Sequence, residues 1–108
     1  MYKILEDSGA LCCFGAYQGE TMIGFITVLT HVMPHYGALI ATTESFFVAK
    51  AYRKTGAGTL LRQTVERHAQ GRGAAGVLIC APYGGQLAKV LPRAGYRQTN
   101  QVFFKGLS

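Results

Sequence analysis

The chain has 108 residues, of which 49 % are apolar, and it carries a formal net charge of +6. This length and composition predict one folded domain with a modest core, and they exclude a two-domain protein and a disordered chain. The positive charge favours an anionic partner, which leaves open a nucleotide cofactor, an acidic substrate or nucleic acid.

The first half of the chain predicts three strands. Residues 11–17 are a short apolar run that ends at the polar residues 18–20, and residues 22–32 resume with β-branched and aromatic side chains, which is a hairpin signature. A proline-marked break over residues 31–37 precedes a third strand over residues 38–48. Consecutive strands with short connections favour an antiparallel meander.

The third strand leads into a glycine-rich turn and then a helix. Residues 46–48 are apolar, residues 50–54 are a basic turn, and residues 56–58 read Gly-Ala-Gly before apolar residues recur at helical spacing. The first N–H groups of a helix have no intrahelical partner, and glycine leaves room for close approach, so this turn predicts a phosphate site. Arg53 and Lys54 add positive charge beside it.

The remaining elements are a buried strand, a short helix and a last strand. Residues 75–81 form a nearly continuous apolar run, which we expect to lie parallel to the third strand through a right-handed crossover. Residues 86–91 predict a short helix, and residues 102–104 (Val-Phe-Phe) predict a last strand. The chain is therefore predicted to be one α/β (α+β) domain over residues 1–108, in the order β-β-β-α-β-α-β.

Cysteine spacing and the apolar runs limit the cellular setting. Cys12, Cys13 and Cys80 are odd in number, and none lies in a CxxC pair or near a histidine at ligand spacing. We therefore expect no metal and no disulfide framework, but reduced, mostly buried thiols in a cytoplasmic protein. No signal peptide is visible, and the apolar runs are far shorter than a membrane span, so no membrane partner is expected.

The turn resembles a known family signature. Residues 53–58, Arg-Lys-Thr-Gly-Ala-Gly, are similar to the Arg/Gln-x-x-Gly-x-Gly/Ala signature of the GNAT superfamily of N-acetyltransferases. The flanks agree: the hairpin, then Ile-Gly-Phe at residues 23–25, and Ala-Gly-Tyr at residues 94–96, where the family usually has Leu-Gly-Phe. The resemblance covers roughly residues 11–107 and implies a mixed, mostly antiparallel sheet with a parallel pair splayed at a cofactor cleft.

The resemblance implies acetyl-CoA as co-substrate. In such proteins the N–H groups of the turn hold the pyrophosphate, and the edge of the preceding strand pairs with the pantetheine amides like an added strand. A peptide N–H near Phe47 would polarise the thioester carbonyl. The implied cofactor-binding residues are Phe46, Phe47, Val48, Arg53, Lys54, Thr55, Gly56, Ala57, Gly58 and Thr59.

Acetyl transfer to an amine also needs groups that move protons. Glu44 lies nine residues before Arg53, where many relatives carry a carboxylate, and is the candidate base; the alternative is a solvated strand residue or an ion-pair partner of the basic turn. Relatives often use as acid a tyrosine from a Phe-Tyr pair in the short second helix. Val90 and Leu91 stand in place of that pair here, so the usual acid is missing. Tyr83 is the nearest replacement, and packing is its alternative role.

The resemblance is incomplete at the N-terminus. Only residues 1–10 stand where the family normally has a strand and one or two helices that cover the acceptor side of the cleft. Either the domain is a minimal form or a second copy supplies the missing wall. An exposed sheet edge and an open cleft favour a homodimer.

Three functions fit the sequence. The favoured one is an N-acetyltransferase that transfers the acetyl group of acetyl-CoA to a primary amine of an unknown small molecule or protein. The alternatives are a catalytically silent acyl-CoA-binding regulatory module and a basic nucleic-acid-binding or nucleic-acid-modifying protein, although no recognition-helix or RNA-binding signature is present. Dinucleotide-binding and P-loop folds fit poorly, because Leu61 replaces the third glycine of the former and no Gly-Lys-Ser/Thr is present for the latter.

Overall fold

A computed structural model describes residues 2–7, 10–34, 36–81 and 85–107 as one mixed sheet with helices. The strands are β1 (Tyr2–Asp7), β2 (Leu11–Gln18), β3 (Thr21–Met33), β4 (Ala38–Val48) and β5 (Gly76–Leu78), and the helices are α1 (Ala57–Gly71) and α2 (Gln86–Val90). Short 3-10 helices cover Lys50–Tyr52 and Leu91–Ala94. The strand order is β1-β2-β3-β4-β5, antiparallel except for the parallel pair β4–β5. The predicted fold class and the antiparallel meander are therefore confirmed.

The core lies between α1 and one face of the sheet. Strand side chains alternate between the two faces, so Phe14 of β2 and Ile26 of β3 are register partners that point the same way. Both are buried in one cluster with Leu61 and Val65 of α1. Burying these side chains stabilises the pairing of the helix with the sheet by about 1.5 to 3 kcal/mol each.

One side of α1 carries the ion pair that its spacing predicts, and both of its side chains are partly buried. Arg62 and Glu66 are one helical turn apart, and their N–O distance is 2.8 Å. The helix is therefore amphipathic, with Leu61 and Val65 fully buried on its inner side. Packing of α1 against the sheet positions the N-terminus of α1, which follows β4 and the basic turn.

Strands β3 and β4 approach closely at Gly24. The register pairs Gly24 with Val48, and a Cβ added at Gly24 would lie 2.7 Å from the backbone oxygen of Phe47. Real Cβ atoms essentially never come that close, so only glycine fits between the strands here. The approach sets the position of the last residues of β4.

The structure differs from the sequence prediction at both ends of the sheet. β1 was not predicted, because its apolar residues are interrupted by Lys3 and depend on pairing with β2 for their strand conformation. The prediction of a last strand over residues 102–104 is wrong: residues 96–107 lie in no strand, and Phe103 and Phe104 are 86 % and 93 % exposed. β5 has only three residues, so its edge offers few hydrogen bonds to offset the entropy of ordering a further strand.

The cysteines lie in different environments. Cys12 is buried and Cys13 is half-buried, whereas Cys80 is exposed just after β5. The expectation that the thiols are mostly buried holds for Cys12 and is wrong for Cys80. Among the described helices, none has the length and apolar character needed to cross a membrane.

Candidate functional site

The connection from β4 to α1 is a tight, hydrogen-bonded turn. The Tyr52 amide donates to the Ala49 carbonyl at 2.8 Å, and the Thr55 amide donates to the Tyr52 carbonyl at 3.1 Å. The Thr55 hydroxyl donates to the same carbonyl at 2.6 Å. Gly56 follows with φ 88°, in the left-handed region that other residues avoid. Hydrogen bonds thus hold the turn up to Gly56, whose backbone conformation favours glycine.

The N-terminus of α1 presents amides that the helix does not use. Its N-cap is Gly56, with no side-chain cap and no acidic residue in the first turn, and the Leu60 amide donates to the Gly56 carbonyl at 2.9 Å. In the described segment from Arg53 to Leu60, the amides of Lys54, Gly56, Ala57, Gly58 and Thr59 donate to no acceptor within the described residues. These amides and the helix dipole together make an anion site.

The side chains of the turn add charge to this site. Lys54 is exposed, and the ion pair that the described residues contain, Arg62–Glu66, lies further along α1. Arg53 is also exposed, but its Nε donates to the Val48 carbonyl at 3.0 Å. A cleft of about 250 Å³ adjoins the turn and is lined by Gly56 and Ala57 together with residues of the β2–β3 hairpin.

The edge of β4 beside the turn is unpaired within the described part of the chain. Pairing with β5 ends at Thr42, whereas β4 runs on to Val48. The Ala49 amide donates to the Ile23 carbonyl, so Ala49 faces β3. Backbone groups alternate along a strand, so those of Phe47 also face β3, and those of Phe46 and Val48 face the opposite edge. An extended amide chain can pair with that edge.

The side chains of these three residues divide between the faces of the sheet. Phe46 and Val48 pack against the core, whereas Phe47 is 48 % exposed on the opposite face. The Phe47 ring lies beside that of Phe25, with centroids 5.8 Å apart. The outward N–H groups nearest to Phe47 therefore belong to Phe46 and Val48.

The structure describes the backbone of one candidate catalytic residue, Glu44, but not the other, Tyr83. Glu44 is the extra residue of a β-bulge in β4, because the register passes from Val28–Thr43 to Thr27–Ser45. Its side chain lies outside the described part of the structure. Tyr83 also lies outside the described residues. Their catalytic roles stay predictions.

A second polar cluster joins the C-terminal part of the chain to α1. The Tyr96 hydroxyl donates to Glu66 Oε2 at 2.8 Å, the oxygen that also pairs with Arg62. Burial, together with this hydrogen bond, raises the pKa of Tyr96 well above its ordinary value. The cluster holds the segment after the second 3-10 helix against α1, and a cavity of about 360 Å³ lies beside it. No group of three or more potential metal ligands occurs among the described residues.

Three features of the site had no clear signal in the sequence. The bulge at Glu44 depends on the register with β3, and the Tyr96–Glu66 hydrogen bond joins residues 30 positions apart. The Arg53–Val48 hydrogen bond is local, but nothing in the sequence separates it from a phosphate contact of the arginine. The signature offers one hint at this hydrogen bond, because it has either arginine or glutamine at the position of Arg53.

Comparison with known proteins supports the resemblance. A model of the Acetyltransferase (GNAT) family matches residues 1–96. No curated protein sequence matches the chain significantly.

Solved structures of similar fold have diverse descriptions. A candidate acetyl transferase from Pyrococcus furiosus aligns with a TM-score of 0.83 at 20 % identity, over 93 % of this chain and 68 % of that one. A transcriptional regulator from Bacillus halodurans C-125 aligns with a TM-score of 0.82 at 17 % identity, over 94 % of this chain and 69 % of that one. The structure of AAC(6')-Iy in complex with the bisubstrate analog CoA-S-monomethyl-acetylneamine aligns with a TM-score of 0.77 at 20 % identity. The alignment covers 94 % of this chain and 71 % of that one. Identities this low establish the fold and leave the reaction to be argued from the site.

Proposed function

The chain belongs to the GNAT family of acetyltransferases, and from this premise we propose that it transfers the acetyl group of acetyl-CoA to a primary amine. The observation that carries the proposal is the pairing of two features at one end of β4. Uncapped amides at the start of α1 lie beside a strand edge that the described residues leave unpaired. The first feature suits a diphosphate and the second suits a chain of amides, and CoA contains both.

The residues present fit acetyl-CoA. The amides of Lys54 and of residues 56–59 would hold the diphosphate, with the charge of Lys54 beside them. The Thr55 amide is already bonded to Tyr52, so Thr55 would contribute through the shape of the turn. The outward backbone groups of Phe46 and the Val48 N–H would pair with the pantetheine arm.

The chemistry requires proton transfer at two places. Bound acetyl-CoA supplies a thioester whose carbonyl carbon bonds to the amine nitrogen as the C–S bond breaks, and the proton lost by nitrogen balances the one gained by the thiolate. Glu44, at the bulge of β4, would accept the amine proton directly or through water. Tyr83 would return a proton to the thiolate sulfur, and an N–H of the β4 edge would polarise the carbonyl.

Binding and turnover separate the proposal from its alternatives. Thermal shift should show a higher melting temperature with acetyl-CoA, whereas a nucleic-acid-binding protein would respond to nucleic acid alone. Release of CoA thiol with a panel of amines, including an aminoglycoside and a peptide N-terminus, then tests for transfer. Glu44→Gln should lower kcat on the best amine, with acetyl-CoA affinity as the control. Full turnover by Glu44→Gln would remove Glu44 from the mechanism.

A binding module without chemistry is the second candidate. Its specific support is that the relatives' acid is replaced by Val90 and Leu91, of which Leu91 is buried. Acetyl-CoA binding with no thiol release for any amine of the panel would favour this candidate. Tyr83→Phe tests the replacement acid: unchanged turnover would show that Tyr83 has no chemical role.

We also propose that two copies associate in the cytoplasm. Residues 97–107 are exposed along their length, and Val102, Phe103, Phe104 and Leu107 are each more than 80 % exposed. A contiguous exposed apolar segment of this kind is typical of an interaction surface. A second copy supplies a matching apolar segment, so that association removes both from water. Light scattering should therefore give a dimer mass, and a monomer at high concentration would count against association.

A further inference from the structure

The side chain of Arg53 folds back from the turn onto the strand before it. Its Nε donates to the Val48 carbonyl at 3.0 Å, and this hydrogen bond is called the Arg53 latch below. Val48 is the last residue of β4, and its backbone groups face the unpaired edge. The latch therefore joins the end of the strand to the far side of the 3-10 helix.

We propose that Arg53 is a positioning residue, which fixes the acyl-CoA site through the latch rather than through its positive charge. The proposal rests on the proposed function and goes beyond it. It assigns the electrostatic contribution of the turn to Lys54, whose ammonium has no ion pair within the described residues. It also means that Arg53 does not act by contacting the phosphate, although a basic residue in the signature suggests such a contact.

The latch controls two parts of the site together. It holds Arg53 in place, one residue before the first uncapped amide, that of Lys54, and so aims the amide row at the start of α1. It also occupies the Val48 carbonyl. The acceptor left at this end of the edge is the Phe46 carbonyl, flanked by the N–H groups of Phe46 and Val48. An incoming amide chain then has one register in which to pair.

Covalent geometry says which side chains can replace Arg53. The Nε2 of glutamine is the same number of bonds from Cα as the Nε of arginine, so Arg53→Gln keeps an N–H donor at this place without the charge. At the same number of bonds from Cα, lysine has a methylene group, and its ammonium lies one bond further out. Methionine has a methyl group at this place and therefore no donor. The family signature accepts arginine or glutamine, which agrees with a requirement for an N–H donor at this place rather than for a positive charge.

The test compares Arg53→Gln, Arg53→Lys and Arg53→Met by calorimetry with CoA at several salt concentrations. Arg53→Gln should bind within about two-fold of wild type with the same salt dependence, whereas Arg53→Lys and Arg53→Met should bind about three- to ten-fold more weakly, the range for one lost hydrogen bond. Lys54→Gln is the control for charge, and its salt dependence should be flatter. Three results overturn the proposal: wild-type affinity in Arg53→Met, wild-type affinity in Arg53→Lys with a loss in Arg53→Gln, or equal losses in all three.

A second measurement keeps the latch separate from the proposed function. Hydrogen exchange of the ligand-free protein should be about three- to ten-fold faster over residues 49–58 in Arg53→Met and Arg53→Lys than in wild type, and unchanged in Arg53→Gln. If the wild-type protein binds no acyl-CoA, the proposed function fails, and exchange still decides whether the latch holds the turn. Equal exchange in all four proteins overturns the latch.

Discussion

Two glycines that lie close together in the turn should respond oppositely to the same change. Gly56 has φ 88°, and Gly58 lies in the first turn of α1. Gly56→Ala puts a Cβ on a left-handed residue, which costs about 1 to 2 kcal/mol. Gly58→Ala puts the same Cβ where it meets Val48 Cγ2 at 3.8 Å, an ordinary contact, and alanine is favoured over glycine in a helix by up to about 1 kcal/mol.

The two variants should therefore differ by about 2 kcal/mol in the free energy of unfolding. Urea titrations followed by circular dichroism measure this directly, and equal m-values would show that both variants unfold in the same way. In a domain of this size, the melting temperature should move by about 4 to 8 °C per kcal/mol. Each variant serves as the control for the other, because each adds one methyl group to the same turn.

Acetyl-CoA binding by the same variants tests the site. Gly56→Ala should weaken binding as well as stability, because its φ sets the direction of the first amides of α1. Gly58→Ala should bind nearly as wild type, since the added methyl group has room. The reasoning is refuted if Gly56→Ala is as stable as wild type, or if both variants lose the same free energy of unfolding.

Three further predictions concern the sheet and the C-terminal part of the chain. Gly24→Ala should lose about 1 to 3 kcal/mol, because the new Cβ would lie 2.7 Å from the Phe47 backbone oxygen, and a wild-type urea midpoint would contradict this. Tyr96→Phe should lose about 1 kcal/mol with the hydrogen bond to Glu66. Since the fold raises the pKa of Tyr96, its contribution is present below the unfolded pKa of about 10 and is lost as pH rises beyond it, so wild type and variant should converge in stability at alkaline pH. Phe104→Asp should shift the light-scattering mass from dimer to monomer with an unchanged circular dichroism spectrum, and a persistent dimer would exclude the exposed segment from the interface.

Local patterns predicted most of the elements correctly. The apolar run of β2, the β-branched and aromatic residues of β3 and the helical spacing of Leu61 and Val65 each indicate the type of element that forms. The site turn was also readable, since Gly56 and Gly58 between a strand and a helix leave few other backbone paths. The family signature gave this turn its proposed ligand.

The pairing of β1 and the exact register of β3 with β4 were not readable from the sequence. β1 forms because β2 offers it an edge, and the bulge at Glu44 exists because β3 and β4 shift register there. The segment at residues 102–104 shows the reverse case, since a good strand pattern stays out of the sheet. Strand formation depends on a partner as well as on the residues themselves.

The sequence by itself determined the class of the domain, the strand–turn–helix at its centre and the glycine that the turn requires, because these follow from periodicity and from the φ angle that one residue can adopt. Only the tertiary structure decided which backbone groups of Phe46, Phe47 and Val48 face the open edge, and that Arg53 bonds to the strand. Both depend on the register of β4 against β3, which is set by contacts between distant residues and not by any residue's own preference.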